Sequence, residues 1–240
     1  ESAVDLLEDL NVPAYKIASF ETVDLRLIDY VARTGKPMII STGMASEDEI
    51  REAVDTARAG GCSELALLTC VSSYPAMPSD YNLSRIVDMR ERFQTVVGLS
   101  DHTLDNTCAI ASITLGGCII EKHFTLDRKG GGADDSFSLE PNDMKNLCES
   151  SLAAWQSIGS PEYGTKSTEK NNAQYRRSLY FVKSLKKGDV IKIDDIRSVR
   201  PGFGLPTKMF DSVVGSEVNC NVSYGDPVKL ADIIMKSDID

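Results

Sequence analysis

The chain has 240 residues with 36 acidic and 26 basic side chains, which give a formal net charge of −10. An acidic surface disfavours nucleic acids and anionic membranes as partners, although a local group of lysines can still bind an anionic substrate. No apolar stretch approaches the ~20 residues that cross a bilayer, and no signal peptide is recognisable. We therefore expect a cytoplasmic protein that binds neither nucleic acid nor membrane.

Five short apolar runs in the first part of the chain predict β-strands, at residues 14–18, 37–41, 64–70, 95–99 and 118–121. A helix is predicted at the start of the chain, and helical patterns separate the runs. The clearest is residues 46–59, which opens with the capping box Ser46-x-x-Glu49 and ends at Gly60-Gly61. The centres of the strands are spaced by about 23 to 29 residues. This rhythm is typical of repeated βα units and predicts a parallel sheet.

Polar side chains follow every predicted strand, as they do in a (β/α)8 barrel, where the site is built from the carboxyl ends of many strands. No GxGxxG sequence follows a strand, so a dinucleotide-binding sheet is disfavoured. The predicted fold class is therefore α/β, a TIM barrel. A barrel needs eight units over roughly 200–250 residues, and five strands are recognisable. We expect the chain to hold the C-terminal five units, with about 100 residues missing before Glu1; an open sheet is the alternative.

The alternation stops after Trp155, and a small β-rich module is predicted to follow. Residues 157–174 are polar and interrupted by glycine and proline, which is typical of a linker. Residues 187–196 and 224–233 are similar to each other, with the shared pattern Gly-Asp-x-x-Lys-x-x-Asp-Ile, and predict two related halves. The expected domains are residues 1–156, a linker at 157–174, and residues 175–240.

The only two histidines, His102 and His123, each follow a predicted strand. Imidazoles at two adjacent strand ends can converge on one divalent metal. Two ligands are too few for a structural zinc site, and they leave positions open for water and substrate. The alternative is that each histidine is a hydrogen-bonded structural residue.

Other polar groups near the strand ends have two interpretations each. Lys16 can bind phosphate or carboxylate as a point charge, or can form a structural ion pair. The sequence Ser41-Thr42-Gly43 can hold phosphate oxygens, or can simply begin a helix. The glycine-rich residues 130–135 predict a lid or sugar-binding loop, with a mobile surface turn as the alternative. No catalytic triad, P-loop or HExxH motif is present.

Six cysteines are scattered without a CxxC pair. Most lie in apolar runs, which predicts buried free thiols in a reducing compartment, with a catalytic cysteine as the alternative. They are Cys62, Cys70, Cys108, Cys118, Cys148 and Cys220.

Several segments resemble the sialic acid synthase family over nearly the whole chain. They are KIASFE (16–21), PMIISTGM (37–44), LTCVSSYPA (68–76), GLSDHT (98–103) and IEKHFTLDR (120–128). Residues 176–191 and VRPGFG (199–204) resemble the antifreeze-like SAF domain of that family, a β-clip module. The resemblance implies a transferase that condenses phosphoenolpyruvate with an N-acetylated amino sugar to a nonulosonic acid and releases phosphate.

The segments GGADDSFSLEP (131–141) and SVRPGFGLPTK (198–208) resemble the branch of the family that makes pseudaminic acid. That branch implies 2,4-diacetamido-2,4,6-trideoxy-altrose as the acceptor. The alternatives are the branches that make N-acetylneuraminate or legionaminic acid. Two further alternatives are a non-catalytic sugar-binding fragment and a metal-dependent aldolase that uses pyruvate.

The resemblance also implies roles for individual residues. His102 and His123 match the metal ligands, with manganese as the expected ion and magnesium or cobalt as alternatives. Glu21 matches a position near the sugar and is a candidate for proton transfer. Arg200 matches an arginine that reaches the partner's active site in a domain-swapped homodimer. Phosphoenolpyruvate is expected at Lys16, Ser19, Ser41, Ser72 (an asparagine in some members) and Ser100, and the sugar at Glu21, Tyr74, Asp134 and Arg200.

Overall fold

Five parallel strands form one sheet in the computed structural model, which describes residues 1–236. Each strand pairs with the next one along the chain, as consecutive βα units require. All five strands coincide with the predicted runs to within two residues at either end. Within residues 1–236 no strand covers the outer edge of β1 or β5, so the five-stranded sheet is open. The strands are β1 (Tyr15–Ile17), β2 (Met38–Ser41), β3 (Leu65–Cys70), β4 (Val96–Asp101) and β5 (Ile119–Lys122).

Helices connect the strands and cover one face of the sheet. The core of this layer contains Ile28, Ile40, Ala53, Leu67 and Val97, all fully or almost fully buried. Alternate strand residues point to the other face, which leaves Lys16 and Val96 exposed. No helix among the described residues is long and apolar enough to span a bilayer. The helices are α1 (Ser2–Asp9), α2 (Leu25–Ala32), α3 (Glu47–Ala59), α4 (Arg85–Phe93), α5 (Thr107–Thr114) and α6 (Pro141–Ile158).

The predicted capping box of α3 is confirmed. The Ser46 hydroxyl accepts a hydrogen bond from the Glu49 backbone N–H at 3.3 Å, and the Glu49 carboxylate accepts one from the Ser46 backbone N–H at 2.7 Å. Two backbone donors at the start of the helix are thereby satisfied. Helix α3 begins shortly after residues 41–43, which lie at the end of β2 and at the carboxyl edge of the sheet.

Helix α6 extends beyond the point at which the sequence pattern predicts the first domain to end. It continues through Trp155 to Ile158, and 3-10 turns span Ser167–Tyr175, so the polar segment after Trp155 is not devoid of regular structure. The chain separates into two compact units, Glu1–Ser160 and Pro161–Asp240. The domain limits at residues 156 and 175, and the role of 157–174 as a linker, stay predictions.

The prediction of buried cysteines is only half right. All six cysteines are free thiols, and Cys62, Cys70 and Cys108 are buried as expected. Cys118 and Cys148, however, are exposed, and the sixth is half-buried. The exposed thiols lie just before the edge strand β5 and on helix α6, where fewer elements cover them.

The second unit is built from two related halves, as the internal repeat predicts. Strand β6 (Ser178–Phe181) pairs antiparallel with β7 (Ile196–Val199), and β8 (Glu217–Val218) pairs in the same way with β9 (Ile233–Ile234). A four-residue helix, α7 (Phe210–Val213), lies between the halves in the chain.

Hydrogen bonds between the halves are reciprocal at an offset of 37 residues. The Gly188 backbone N–H donates to the Val218 carbonyl at 2.8 Å, and the equivalent Gly225 N–H donates to the Phe181 carbonyl at 2.9 Å. Both glycines have φ near +90°, a conformation that favours glycine. The unit is therefore a pseudo-twofold module with one shared apolar core. Residues 237–240 of the predicted C-terminal domain lie outside the described residues.

Candidate active site at the carboxyl edge of the sheet

The carboxyl ends of the five strands surround a cavity of about 270 Å³. Seven of the eleven predicted site residues line it, so the strand-end pattern in the sequence does bring these side chains together. A larger cavity of about 550 Å³ lies at the opposite edge of the sheet, but none of the predicted site residues lines it. The lining of the smaller cavity is Lys16, Ala18, Ser19, Phe20, Ser41, Cys70, Tyr74, Ser100, His102, Glu121 and His123.

The alternation of side chains along β4 and β5 explains which residues reach the cavity. Asp101 and Lys122 are Cα partners in the ladder, and their side chains point away from the cavity into a buried environment. The residues on either side therefore point inward. These are Ser100 in β4 with His102 just after it, and Glu121 in β5 with His123 just after it.

The two histidine rings lie next to each other, with their centroids 5.3 Å apart. His102 is only 6% exposed, and its Nδ1 atom lies 2.7 Å from the Val71 carbonyl oxygen. A carbonyl oxygen can only accept, so Nδ1 carries the hydrogen and Nε2 is left with its lone pair. Burial lowers the pKa of His102, which favours the neutral imidazole. Nδ1 of His123 faces the Asp134 carboxylate at 3.3 Å.

This arrangement fits a divalent metal. Metal-binding histidines typically use one ring nitrogen for the ion and donate the other N–H to a carbonyl or carboxylate, and both histidines have such a partner here. In the part of the chain that the structure describes, no group of three or more His, Cys, Asp or Glu side chains is arranged to hold an ion. The described residues would therefore contribute two imidazoles, and positions would remain open to water or substrate.

Two aromatic rings pack against the histidines. The Tyr74 ring centroid lies 4.2 Å from that of His102 and 5.6 Å from that of His123, and Phe137 contacts both Tyr74 and His123. Burial raises the pKa of Tyr74, so the phenol stays protonated and can donate a hydrogen bond. The rings restrict the orientation of the imidazoles and place an apolar wall beside them.

Lys16 and Glu121 form an ion pair inside the cavity. The Lys16 ammonium lies 3.7 Å from Glu121 and also donates to the Ile17 carbonyl at 2.9 Å. Ser100 donates to the other Glu121 oxygen at 2.7 Å. Both interpretations of Lys16 therefore have support, because it is paired and at the same time faces the cavity. Glu121 is a site residue that the sequence reasoning missed, although its alternation with His123 places both on one face.

Serine hydroxyls line the opposite wall. The Oγ atoms of Ser19 and Ser72 are 2.8 Å apart, so Ser72 reaches the site through Ser19. Ser41 is 2% exposed, and its hydroxyl has no hydrogen-bond partner among the described residues. A buried hydroxyl without a partner is uncommon, and it marks a place where a ligand oxygen can bind.

Gly43 makes this close packing possible. Its φ is +49°, and a Cβ atom at this position would lie 2.4 Å from the Cβ of Ser19 and 2.9 Å from the Oγ of Ser72. Any side chain here would therefore collide with the serine pair. Glycine is required by space as well as by backbone conformation.

The glycine-rich loop is folded rather than open. Asp135 accepts hydrogen bonds from the Thr125 hydroxyl and the Gly132 backbone N–H, both at 2.7 Å. Arg128 donates to Asp143 at 2.7 Å at the start of α6. These contacts hold the segment that presents Asp134 to His123.

Four predicted site residues do not line the cavity. Ser72 and Asp134 contact residues that do, namely Ser19 and His123. The other two are Glu21 and Arg200. Glu21 is exposed in the 3-10 turn Ser19–Glu21, and its side chain has no hydrogen bond or ion pair among the described residues. Arg200 belongs to the second unit, where it is exposed and precedes the cis peptide bond to Pro201. Their roles stay predictions. Cys70 does line the cavity, but burial raises the pKa of its thiol, which disfavours a nucleophilic thiolate.

Comparison with known proteins gives two family matches. Residues 1–163 match the NeuB family, and residues 176–234 match the SAF domain. The pseudaminic acid synthase of Helicobacter pylori is 38% identical over 96% of this chain and 68% of its own length. The N,N'-diacetyllegionaminic acid synthase of Legionella pneumophila is 37% identical over 94% of this chain and 65% of its own.

A solved structure supports the same assignment. The spore coat polysaccharide biosynthesis protein SpsE of Bacillus subtilis superposes with a TM-score of 0.64 at 33% identity, covering 98% of this chain and 72% of the other. The chain thus spans about two thirds of the length of the curated relatives it matches. The parallel sheet and the two-halved second unit agree with the family matches. These matches show that the chain belongs to the NeuB family and carries a SAF domain after the family region.

Proposed function

We propose that the chain is part of a nonulosonic acid synthase, a transferase that condenses phosphoenolpyruvate with an N-acetylated amino sugar. One observation carries the proposal: two adjacent imidazoles, a lysine and buried serine hydroxyls face the same small cavity. The matched relatives are named as synthases of pseudaminic and N,N'-diacetyllegionaminic acid, which agrees with this class of reaction.

Phosphoenolpyruvate is a small trianion with a carboxylate and a phosphate. Lys16 supplies a positive charge, and the Ser19, Ser41 and Ser100 hydroxyls supply donors around it. Charge-assisted hydrogen bonds of this kind are about twice as strong as neutral ones. The Ser41 hydroxyl has no hydrogen-bond partner among the described residues. It can therefore bind a ligand oxygen without first breaking a hydrogen bond to one of these residues.

The metal would be held by His102 and His123, with manganese as the proposed ion and magnesium or cobalt as alternatives. When bound, it supplies a Lewis acid that polarises the aldehyde oxygen of the open-chain sugar. The Val71 carbonyl and the Asp134 carboxylate keep the ring nitrogens of these histidines in the required orientation.

The vinyl carbon of phosphoenolpyruvate forms the new bond to the aldehyde carbon, whose oxygen takes up a proton. Water adds to the former enol carbon and gives up one proton, which balances the proton taken up by the aldehyde oxygen. The carbon–oxygen bond to phosphate then breaks and the hydroxyl on that carbon passes its proton to the departing phosphate, which leaves a 2-keto acid and inorganic phosphate. Lys16 and the serines hold the phosphate while it leaves, and Glu121 is the carboxylate nearest to them. The role of Glu21 in proton transfer stays a prediction.

Pseudaminic acid is the proposed product, with 2,4-diacetamido-2,4,6-trideoxy-altrose as the acceptor. The support is the resemblance of residues 131–141 and 198–208 to that branch. Legionaminic acid is the second candidate, because the two relatives differ by only one percentage point of identity. The complete (β/α)8 barrel, the domain-swapped homodimer with Arg200 at the partner's site, and the cytoplasmic location belong to the same proposal.

The test is release of inorganic phosphate from phosphoenolpyruvate in the presence of Mn²⁺. Three acceptors are compared: the altrose derivative, the legionaminate precursor and N-acetylmannosamine. The assay uses this chain and, beside it, the same chain preceded by the N-terminal third of its H. pylori relative. Release with the altrose derivative alone supports both reaction and branch, and release with another sugar corrects the acceptor. A folded, metal-loaded protein that releases no phosphate with any of them contradicts the proposal and favours a sugar-binding module.

A further inference from the structure

The most buried ion pair among residues 1–236 lies directly behind the two histidines. The Lys122 ammonium is 3.0 Å from Asp101, and the two side chains are 2% and 0% exposed. Every other ion pair described in the chain has at least one partner that is more than a fifth exposed. Asp101 precedes His102 and Lys122 precedes His123, and the two paired residues face each other across β4 and β5.

The pair also organises the backbone that follows β4. Lys122 donates to the Thr103 carbonyl at 2.7 Å and to the Asp105 carbonyl at 2.8 Å, in addition to Asp101. All three hydrogens of its ammonium group are therefore used. Asp101 in turn accepts a hydrogen bond from the Thr103 backbone N–H at 2.9 Å. The segment 101–105, which contains His102, is thereby bonded to the last residue of β5, directly before His123.

Stability alone does not explain an ion pair in this position. Removing two charges from water is costly, and well-packed apolar residues are often as stabilising as a buried pair. The positions that precede it on the same face, Leu99 and Ile120, are indeed apolar. An apolar pair could not hold the carbonyls of Thr103 and Asp105, however, and those bonds fix the path of the chain around His102.

We infer that Lys122 and Asp101 are positioning residues, which set the placement of the His102 and His123 imidazoles relative to each other from the opposite face of the sheet. The inference rests on the proposed function in so far as the histidines bind a metal. Its direct consequence concerns the imidazoles themselves. Without the pair, the segment 101–105 loosens, and the bond between His102 and Val71 no longer selects one ring tautomer.

The test uses three variants of the chain. The double variant Lys122→Met/Asp101→Leu removes both charges and leaves no unpaired ion in the core. Asp101→Asn is the isosteric change: its side-chain oxygen can still accept from Thr103 or Lys122, but the Lys122 ammonium loses its counter-charge. The control is Lys36→Met, which breaks the Lys36–Glu8 ion pair of 2.8 Å at the other edge of the sheet. Circular dichroism establishes that each variant is folded.

The first readout is independent of metal. The protein is labelled with ¹⁵N-histidine, and long-range ¹H–¹⁵N spectra report the tautomer of the only two histidines in the chain. We expect the control to keep the Nδ1–H tautomer of His102, and the double variant to show averaged ring signals. The second readout is Co²⁺ binding followed by the visible absorption spectrum. Loss of such supporting interactions typically weakens metal affinity by about 10- to 100-fold, and we expect this range for the double variant and a smaller loss for Asp101→Asn.

Each outcome decides the question. A folded double variant with the tautomer and the Co²⁺ affinity of the original chain would overturn the inference. A double variant that does not fold, while Asp101→Asn keeps the original spectra, would also overturn it, because the pair would then serve the fold alone. If the original chain binds no Co²⁺ but the tautomer changes in the double variant, the positioning role stands and the proposed metal site fails.

Discussion

The Ser100 hydroxyl donates a 2.7 Å hydrogen bond to the Glu121 carboxylate. This contact turns one carboxylate oxygen away from the lysine of the same cavity, while the other lies 3.7 Å from the Lys16 ammonium. The cavity proposed to bind a trianion thus contains a negative charge. Binding of phosphoenolpyruvate must overcome repulsion by Glu121, and must compete with Glu121 for Lys16.

Glu121→Gln is therefore expected to tighten phosphoenolpyruvate binding. Glutamine keeps an acceptor for Ser100 and removes the charge. Because the ion pair is partly exposed, the effect is small, about 0.5–1 kcal/mol or two- to fivefold in Kd. Lys16→Met is the matched change of opposite sign and should weaken binding at least about tenfold. Isothermal titration calorimetry measures both, and weaker binding in Glu121→Gln would show that the carboxylate helps to hold the ligand.

Gly43→Ala is expected to destabilise the first unit. The new Cβ would meet Ser19 at 2.4 Å, closer than real Cβ contacts, so the Ser19–Ser72 pair must move. Strain of this kind typically costs about 1–3 kcal/mol, on top of the positive φ, which costs about 1 kcal/mol for a side chain. The measurement is urea unfolding followed by circular dichroism.

Gly35→Ala separates the two contributions to that cost. Gly35 also has a positive φ, +70°, closer to that of Gly43, but no atom lies within 4 Å of the position of its Cβ. The loss of unfolding free energy in this control variant should therefore reflect backbone strain alone. Equal losses at the two glycines would show that the contact with the serine pair is unimportant.

His102→Gln is expected to lower phosphate release at least about 100-fold, because one of the two proposed ligands is lost. The free energy of unfolding should fall by no more than about 2 kcal/mol, since the glutamine amide can still donate to the Val71 carbonyl. His123→Gln should behave alike. Proportional losses of activity and stability in either variant would mean that the histidine is structural rather than a ligand.

Local periodicity predicted the sheet because buried parallel strands are continuous apolar runs, and these do not depend on distant contacts. The same reasoning placed His102 and His123 at one edge. It missed Glu121, because a glutamate at the end of a strand looks like a solvated residue until its neighbour Ser100 is in place. Glu21, assigned from resemblance alone, is not brought to the cavity by the exposed turn that contains it.

Helix α6 was missed for another reason. Leu152, Trp155 and Ile158 are exposed, whereas Leu147 is the only buried residue of the helix. The apolar residues therefore do not follow one buried face, and the amphipathic pattern is blurred. Its start was still recognisable in principle, since Glu140 and Asp143 form a capping arrangement around Pro141.

The repeat in the second unit offers an internal comparison of two equivalent positions. Asp195 accepts hydrogen bonds from the Lys183 ammonium and the Lys192 backbone N–H, both at 2.8 Å. At an offset of 37 residues, the equivalent pair is Asp232 and Cys220, with a weak contact of 3.7 Å. One half thus has a charged pair where the other has a thiol.

The pKa of Asp195 is a balance of opposing effects. Burial raises it, but the bonds from Lys183 and Lys192 outweigh burial and hold the pKa below its ordinary value. A carboxyl group with a depressed pKa stabilises the fold above its unfolded pKa, near 4, and the contribution is lost as pH falls through the folded value. The ion pair should therefore stabilise the second unit at pH 7, and this stabilisation should be lost in acid.

Asp195→Asn is expected to destabilise the second unit by about 1.5–3 kcal/mol at pH 7, the usual range for a hydrogen bond to a charged group. The difference from the original chain should shrink as the pH is lowered from 5 to about 3. Asp232→Asn, which breaks no ion pair, is the control and should be nearly neutral at both ends of this range. Urea unfolding followed by NMR signals of amides in residues 178–199 reports on this unit separately. A loss for Asp195→Asn that does not depend on pH would show that the buried hydrogen bonds, rather than the charge, stabilise this half.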